Sequence, residues 1–227
     1  MIFTNRESVP IIPLWTTIRS FSEIKIKPNT IVLCDIDDTL LHHPAFNHNW
    51  ITLIHTLFYE YYSSLGDASD RYKAEIDARQ FCDEVLSTVP IRHTDRPGFF
   101  AMVSESTTFA FITARQLESK DFTYDNLRSI DVDPEQYKVH FSGHSAKGEY
   151  IRSHFNLSKY EHVVFIDDQA RNLTNVYDII THRGLELYQF KREINVSSVE
   201  YYPFPPLFDG QFWFDGTNLH KIDESSQ

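Results

Sequence analysis

The stretch from Ile31 to Leu41 reads IVLCDIDDTLL. An apolar run ends in three acids, Asp35, Asp37 and Asp38, placed within four positions. Two carboxylates at contact distance repel by about 4 kcal/mol at an effective dielectric near 20. The end of a buried strand is therefore a costly place to gather them, unless a cation is held there. A short, continuously apolar segment closed by acids reads as a strand covered on both faces, as in a parallel sheet.

Four more β-rich segments lie downstream of Ile31–Asp35: Phe109–Thr113, Tyr137–Ser142, His162–Asp167 and Leu185–Phe190. Helix-like segments separate the second, third and fourth of the five strands. This alternation predicts an α/β chain with a Rossmann-like three-layer core on a parallel sheet. The first interval breaks the rhythm, because far more chain lies between Leu41 and Thr108 than one crossover needs. Asn49–Leu65 (NWITLIHTLFYEYYSSL) and Ala68–Val89 carry helical periodicity and no internal proline. Phe99–Ser106 supplies the ordinary crossover helix, with Pro97-Gly98 marking its start. The expected organisation is a core of residues 1–41 and 96–227, with residues 42–95 forming a small helical cap. Both ends of that insertion leave the carboxyl edge of the first strand, where open α/β sheets bind ligands, so it reads as a lid. Residues 1–30 are expected to wrap the core, and the tail EYYPFPPLFDGQFWF to strap a hydrophobic surface.

The 227 residues carry a net charge of −11, which argues against holding nucleic acid or anionic lipid by bulk electrostatics. It also means that an anionic ligand would need a locally supplied cation. The two cysteines, Cys34 and Cys82, suit a reducing compartment, with Cys34 read as a small buried hydrophobe. MIFTNRESVPIIPLW lacks the features of a signal peptide, and no apolar run approaches the ~20 residues that cross a bilayer. A cytoplasmic location is the expectation.

The other strand ends bear chemistry too. FAFITAR ends with the Thr113 hydroxyl and with Arg115, beyond Ala114; SGHSAKGEY puts Lys147 in the first turn of a helix; VVFIDDQARN gives Asp167, Asp168 and Asn172. In a parallel sheet these ends share one edge, so the residues converge on one crevice.

These residues together resemble the haloacid dehalogenase (HAD) superfamily over about 35–190, with all four family motifs in order. DIDDT matches the first motif, Thr113 the second, Lys147 the third and Asp167-Asp168 the fourth. TAR, KGEY and FIDD are also similar to a little-characterised bacterial HAD-like family with a helical insertion after the first motif. The resemblance implies that Asp35 is a nucleophile forming an aspartyl-phosphate. It makes Asp37 a general acid-base whose backbone carbonyl is a metal ligand. The same resemblance implies that Asp168, which carries the family's D-x-x-x-N spacing to Asn172, is the direct Mg²⁺ ligand, with Asp167 behind it; the two could exchange roles. Thr113 and Lys147 contact the phosphoryl group, with Ala114 and Arg115 beside them, and Arg115 either touches substrate or braces the acidic loops.

A carboxylate two residues after the nucleophile favours phosphoryl transfer over dehalogenation, because chloride leaves unprotonated. The expected activity is hydrolysis of a small phosphorylated metabolite with Mg²⁺, without membrane or nucleic-acid partners. A phosphatase of nucleic-acid ends and a non-enzymatic module of the same fold are the alternatives. Thr39 reads as a turn hydroxyl and Asp38 as a solvated acid. His42, His43 and His48 read as lid or surface histidines, since no matched ligand set accompanies them. His144 is a possible substrate contact, and the sequons at Asn156, Asn172 and Asn195 read as chance.

Overall fold

The structure is a computed structural model that describes residues 14–43, 48–65, 70–88, 91–105, 108–143, 145–192, 212–214 and 219–221. In chain order the elements begin with β1 (Thr16–Ile18), β2 (Thr30–Cys34), β3 (Leu41–His42), α1 (His48–Leu65) and α2 (Asp70–Thr88). Next come β4 (Arg92–His93), α3 (Arg96–Glu105), β5 (Thr108–Thr113), α4 (Lys120–Ser129), β6 (Lys138–Phe141) and α5 (Lys147–His154). The chain continues with β7 (His162–Asp167), α6 (Ala170–Ile179), β8 (Leu185–Phe190), β9 (Phe212–Phe214) and β10 (Leu219–Lys221). His144 and residues 200–211 of the aromatic tail lie outside the described residues, as does the side chain of His48.

Six strands form one sheet in the order β1-β8-β7-β2-β5-β6, and every pairing is parallel. All five expected strands are in it. The sixth, β1, joins the edge through Thr16 opposite Tyr188, so part of the expected N-terminal wrap is a strand. Its three residues, TTI, were too short to signal one.

The strands are buried because both faces are covered. Along β2, Val32 and Cys34 point into one apolar cluster with Phe99, Met102, Phe111 and Leu127. Ile31 and Leu33 point into the other, with Phe165, Ile151, Leu173 and Val176. Thus α3 and α4 cover one face, and α5 and α6 the other, giving the three-layer arrangement. Much of the chain's phenylalanine serves the first cluster, where Phe99 meets Phe21 edge-on at 5.8 Å and stacks at 6.1 Å from Phe111.

The segment between β2 and β5 holds the two expected helices. On α2, Ala74, Ala78 and Cys82 recur every four residues and are buried, a narrow stripe that lets α1 approach with Ile54, Leu57, Phe58 and Tyr62. Tyr62 donates to Asp77 across the pair. The two-residue antiparallel ribbon β3–β4 joins this pair to the core, with Leu41 opposite His93 and His42 opposite Arg92. Among the described residues no helix is long and apolar enough to cross a membrane.

Candidate active site

Strands β7, β2 and β5 are neighbours, so Asp167, Asp35 and Thr113 end up side by side at the carboxyl edge. The Asp35 amide donates to Ile166 O at 2.9 Å, extending the β2–β7 pairing one residue past the strand. Beyond it Asp38 takes φ +56°, a left-handed conformation that aspartate tolerates. The chain can then double back, and the amides of Leu40 and Leu41 both reach Ile36 O.

Lys147 opens α5, and its side chain is 3% exposed. Its Nζ lies 2.5 Å from Asp35 Oδ1 and 2.7 Å from Asp167 Oδ2. Gly148 makes this placement possible. A Cβ there would meet Asn175 O at 2.7 Å, so only glycine lets α5 lie this close to α6. The Gly148 amide uses that approach to donate to Asn175 Oδ1 at 2.7 Å.

Asp167 is fully buried and fully partnered. Its Oδ1 accepts from the Gln169 amide at 2.9 Å and from Asn172 Nδ2 at 3.0 Å, while Oδ2 accepts from Lys147 and, at 3.1 Å, from the same Asn172 nitrogen. Asn172 therefore serves Asp167, whereas its spacing had suggested a link to Asp168. Asp168 differs. Its Oδ1 is buried and, among the described residues, has no hydrogen-bond partner. Asp35, Asp167 and Asp168 can each offer one oxygen, with all three atoms within 4.8 Å of one another.

Thr39 is more than a turn hydroxyl, since it is fully buried and its Oγ1 donates to Asp35 Oδ2 at 3.3 Å. Asp38 is not a solvated acid either: it is part-buried and accepts from Arg192 Nη2 at 3.2 Å. Burial pushes its carboxyl up to about 6 even with that partner.

Arg115 takes the bracing option. Nε donates to Asp37 Oδ2 at 2.9 Å and Nη2 to Oδ1 at 2.6 Å, a two-pronged grip. Its Nη1 donates to Thr123 Oγ1 and Asn126 Oδ1, and the guanidinium lies over the Phe122 ring. Thr113 is fully buried, and its Oγ1 accepts from the Arg115 amide at 3.1 Å, leaving its hydroxyl proton free to donate. Ala114 is exposed beside it.

The charges divide the crevice. Burial raises Asp35 to about 7; Lys147 opposes the rise, and the nearby Asp167 adds to it. Burial, then Asp35 and Asp167, push Asp168 up to about 9. Lys147 stays cationic because the attraction of two carboxylates outweighs its own burial. Around Asp37, partial burial also pushes upward, but the charge and hydrogen bonds of Arg115 bring the carboxyl below its ordinary range.

His43 was expected in the lid or on the surface, and its burial rules out the surface. It is 7% exposed, and among the described residues neither ring nitrogen has a hydrogen-bond partner. Burial holds it uncharged, with its affinity for a proton lowered to about 4 despite the pull of Asp37. Nothing in the sequence singles it out from His42, which stands nearer the acidic motif.

The site can hold a divalent cation. Three converging carboxylates, one with an unpartnered buried oxygen, form a hard oxygen donor set that suits Mg²⁺. The parallel sheet covered by helices on both faces, with the strand-end motifs gathered at one edge, gives the chain a Rossmann-like α/β fold. A family described as a protein of unknown function (DUF2608) matches residues 138–198, the segment that carries Lys147 and Asp167-Asp168. No curated protein matches the chain in sequence. Among solved structures it is similar to a Thermotoga maritima protein assigned as a beta-phosphoglucomutase, at 13% identity and a TM-score of 0.43, over 75% of this chain and 89% of that one. It is also similar to a HAD-family enzyme of Bacteroides thetaiotaomicron, solved with magnesium and inorganic phosphate. That likeness has 10% identity and a TM-score of 0.45, over 76% of this chain and 99% of the other.

Proposed function

We propose that the chain is a Mg²⁺-dependent phosphoric monoester hydrolase in which Asp35 attacks phosphorus and becomes transiently phosphorylated. The observation that carries this reading is Asp168, whose Oδ1 is buried and, among the described residues, unpartnered, and whose carboxylate offers one oxygen within 4.8 Å of oxygens on Asp35 and Asp167. A carboxylate so placed is unfavourable unless it is protonated or meets a cation.

Asp35 and Asp168 would hold the ion together with the Asp37 carbonyl, and Asp167, whose oxygens are already engaged, would support them from behind. Bound there, Mg²⁺ supplies the positive charge that keeps both carboxylates ionised and admits a phosphate dianion. Lys147 and Thr39 fix the Asp35 carboxylate from two sides, which orients the nucleophile before substrate arrives. Lys147 and the free hydroxyl proton of Thr113 are the donors for phosphoryl oxygens. Asp37, ionised by Arg115, is ready to accept a proton from the water that hydrolyses the acyl-phosphate. To protonate the leaving oxygen in the first step it must loosen that grip and take up a proton. Closure of the α1–α2 insertion over a small substrate would exclude bulk water while the intermediate exists.

The test is phosphate release from p-nitrophenyl phosphate with Mg²⁺, compared between the wild type and Asp35→Asn. Loss of at least ~10³-fold in kcat is expected. Equal rates would remove Asp35 as the nucleophile, and a wild type inert with and without Mg²⁺ would remove the hydrolase.

A further inference from the structure

Asp168 is gripped through its backbone. Its carbonyl accepts from Gln189 Nε2 at 3.0 Å, and the next amide, on Gln169, donates to Asp167 Oδ1 at 2.9 Å. Both bonds fall on one peptide unit, so the plane that follows the Asp168 Cα is clamped at its two ends. The helix beyond does not compete for this carbonyl, because the Asn172 amide turns to Gln169 O at 3.0 Å instead. The peptide before the Cα belongs to the end of β7, whose last residue, Asp167, pairs with Gln189 itself. By contrast, Oδ1 of the side chain has no hydrogen-bond partner among the described residues.

Gln189 breaks the pattern of its strand. It follows Leu185 and Leu187 on the face of β8 that packs with Leu173 and Val176, where a third apolar residue would be expected. The other end of its amide is engaged as well, since Oε1 accepts from Trp15 Nε1 at 3.1 Å. Trp15 leads into β1, which lies beside Gln189 through Thr17, and its ring packs on the same apolar cluster. An indole N–H can only donate and a carbonyl can only accept. Between them the Gln189 amide has one possible orientation, oxygen to Trp15 and nitrogen to Asp168.

We propose that Gln189 is a positioning residue for the cation: it aims the Asp168 carboxylate by fixing the peptide behind it, and Trp15 locks Gln189 in the orientation that does so. The inference rests on the Mg²⁺ site of the hydrolase reading above.

With both adjoining peptides held, the Asp168 side chain has only its own torsions left to search. Less freedom is then lost when the carboxylate meets an ion. A grip on the backbone also leaves the carboxylate oxygens for the ion, whereas a hydrogen bond to the carboxylate would occupy them. Being neutral, the amide adds no charge to a crevice in which Lys147 already faces three carboxylates.

Calorimetric titration of Mg²⁺ into the metal-free full chain reads this directly, and the Mg²⁺ concentration for half-maximal cleavage of p-nitrophenyl phosphate gives a second value. Gln189→Met keeps the length and removes both donor and acceptor. Its dissociation constant for Mg²⁺ should rise by ~10-fold or more, the usual effect of losing a group that orients a metal ligand. Trp15→Phe deletes only the indole N–H and should raise the constant by about threefold. Because Trp15 acts through Gln189, the double variant should bind Mg²⁺ no more weakly than Gln189→Met alone. A merely structural role would lower the Tm of the metal-free protein and leave the dissociation constant where it was, and that result overturns the proposal. So does a double variant in which the two losses multiply. Should Gln189→Met fail to fold, Trp15→Phe decides, and an unchanged constant there overturns the inference. A wild type that binds Mg²⁺ but cleaves no ester removes the hydrolase, while the titration still upholds or overturns the role of Gln189. If the wild type cleaves the ester and neither variant alters Mg²⁺ binding, only the role of Gln189 falls. A wild type that binds no Mg²⁺ removes both.

Discussion

Two cations serve this crevice, and they do opposite things. Lys147 is buried between Asp35 and Asp167, with Asp168 close by, so one positive charge faces three carboxylates. Arg115 faces a single carboxylate and grips both its oxygens. On the lysine side, burial and mutual repulsion push Asp35 and Asp168 towards their protonated forms. On the arginine side, Asp37 is held ionised. One half of the site is short of positive charge and the other is balanced. The difference shows where a divalent ion would be drawn, and it separates cation binding from proton transfer within one cluster of acids.

The comparison is broken most severely at Lys147. Lys147→Met leaves Asp35 and Asp167 buried without their shared partner, a change expected to cost roughly 3–5 kcal/mol. Urea unfolding at neutral pH should show this loss, with part of it recovered in acid as the carboxylates take up protons. A cost as small as that of Arg115→Ala would erase the contrast between the two sides.

Metal and pH sharpen it next. Asp168 and Asp35 bind protons more tightly folded than unfolded, whereas the buried His42, His43 and His93 bind them less tightly and oppose this below their ordinary value of 6.5, so it is between about pH 7 and 9 that the metal-free fold holds more protons than the unfolded chain. Stability must therefore fall as pH rises through that window. Protons also compete with the ion, so Mg²⁺ should raise Tm more at pH 8.5 than at pH 6, by several degrees at saturation. In Asp168→Asn the Mg²⁺ effect should nearly vanish. Thermal melts of both proteins, with and without Mg²⁺, provide the check, and a Mg²⁺ effect independent of pH would contradict the charge imbalance.

Arg115→Ala is a smaller perturbation of stability. The pair it breaks is half-exposed on the aspartate side, so about 1 kcal/mol is expected. Asp37 has a depressed affinity for protons, so its stabilising pair exists above the unfolded value and is lost as pH falls through the folded one. The difference between wild type and Arg115→Ala should accordingly close in acid. The smallest effect is expected at the rim, where Arg192→Gln removes one 3.2 Å contact to Asp38 and should shift stability by less than ~1 kcal/mol. Parallel urea titrations of the two variants would rank them.

The strands that build the crevice were legible because each announces itself locally, as an apolar run followed by a polar residue that a buried strand does not need. Their convergence followed from parallel topology alone. The partner of Arg115 was not legible, because Asp37 lies 78 positions away and nothing in TAR favours a carboxylate over a phosphate. Asn172 misled for a related reason: its spacing to Asp168 is correct, but the helix turns its amide onto Asp167 instead. Asp38 looked like a solvated acid because its left-handed backbone, which folds it against Arg192, leaves no trace in the residue type. His43 was hidden among three nearby histidines, and burial depends on what the fold lays over a residue.

The hydrogen bond from the Asp35 amide to Ile166 O has a consequence for the timescale on which the attacking carboxylate can wander. Its backbone is stitched to the central strand pair, so the peptide unit carrying it lets go only when those strands part. Deuterium should therefore enter the Asp35 amide as slowly as it enters the middle of β2, through near-global opening. The acids beyond it, on the turn at Asp37 and Asp38, can exchange through smaller local excursions.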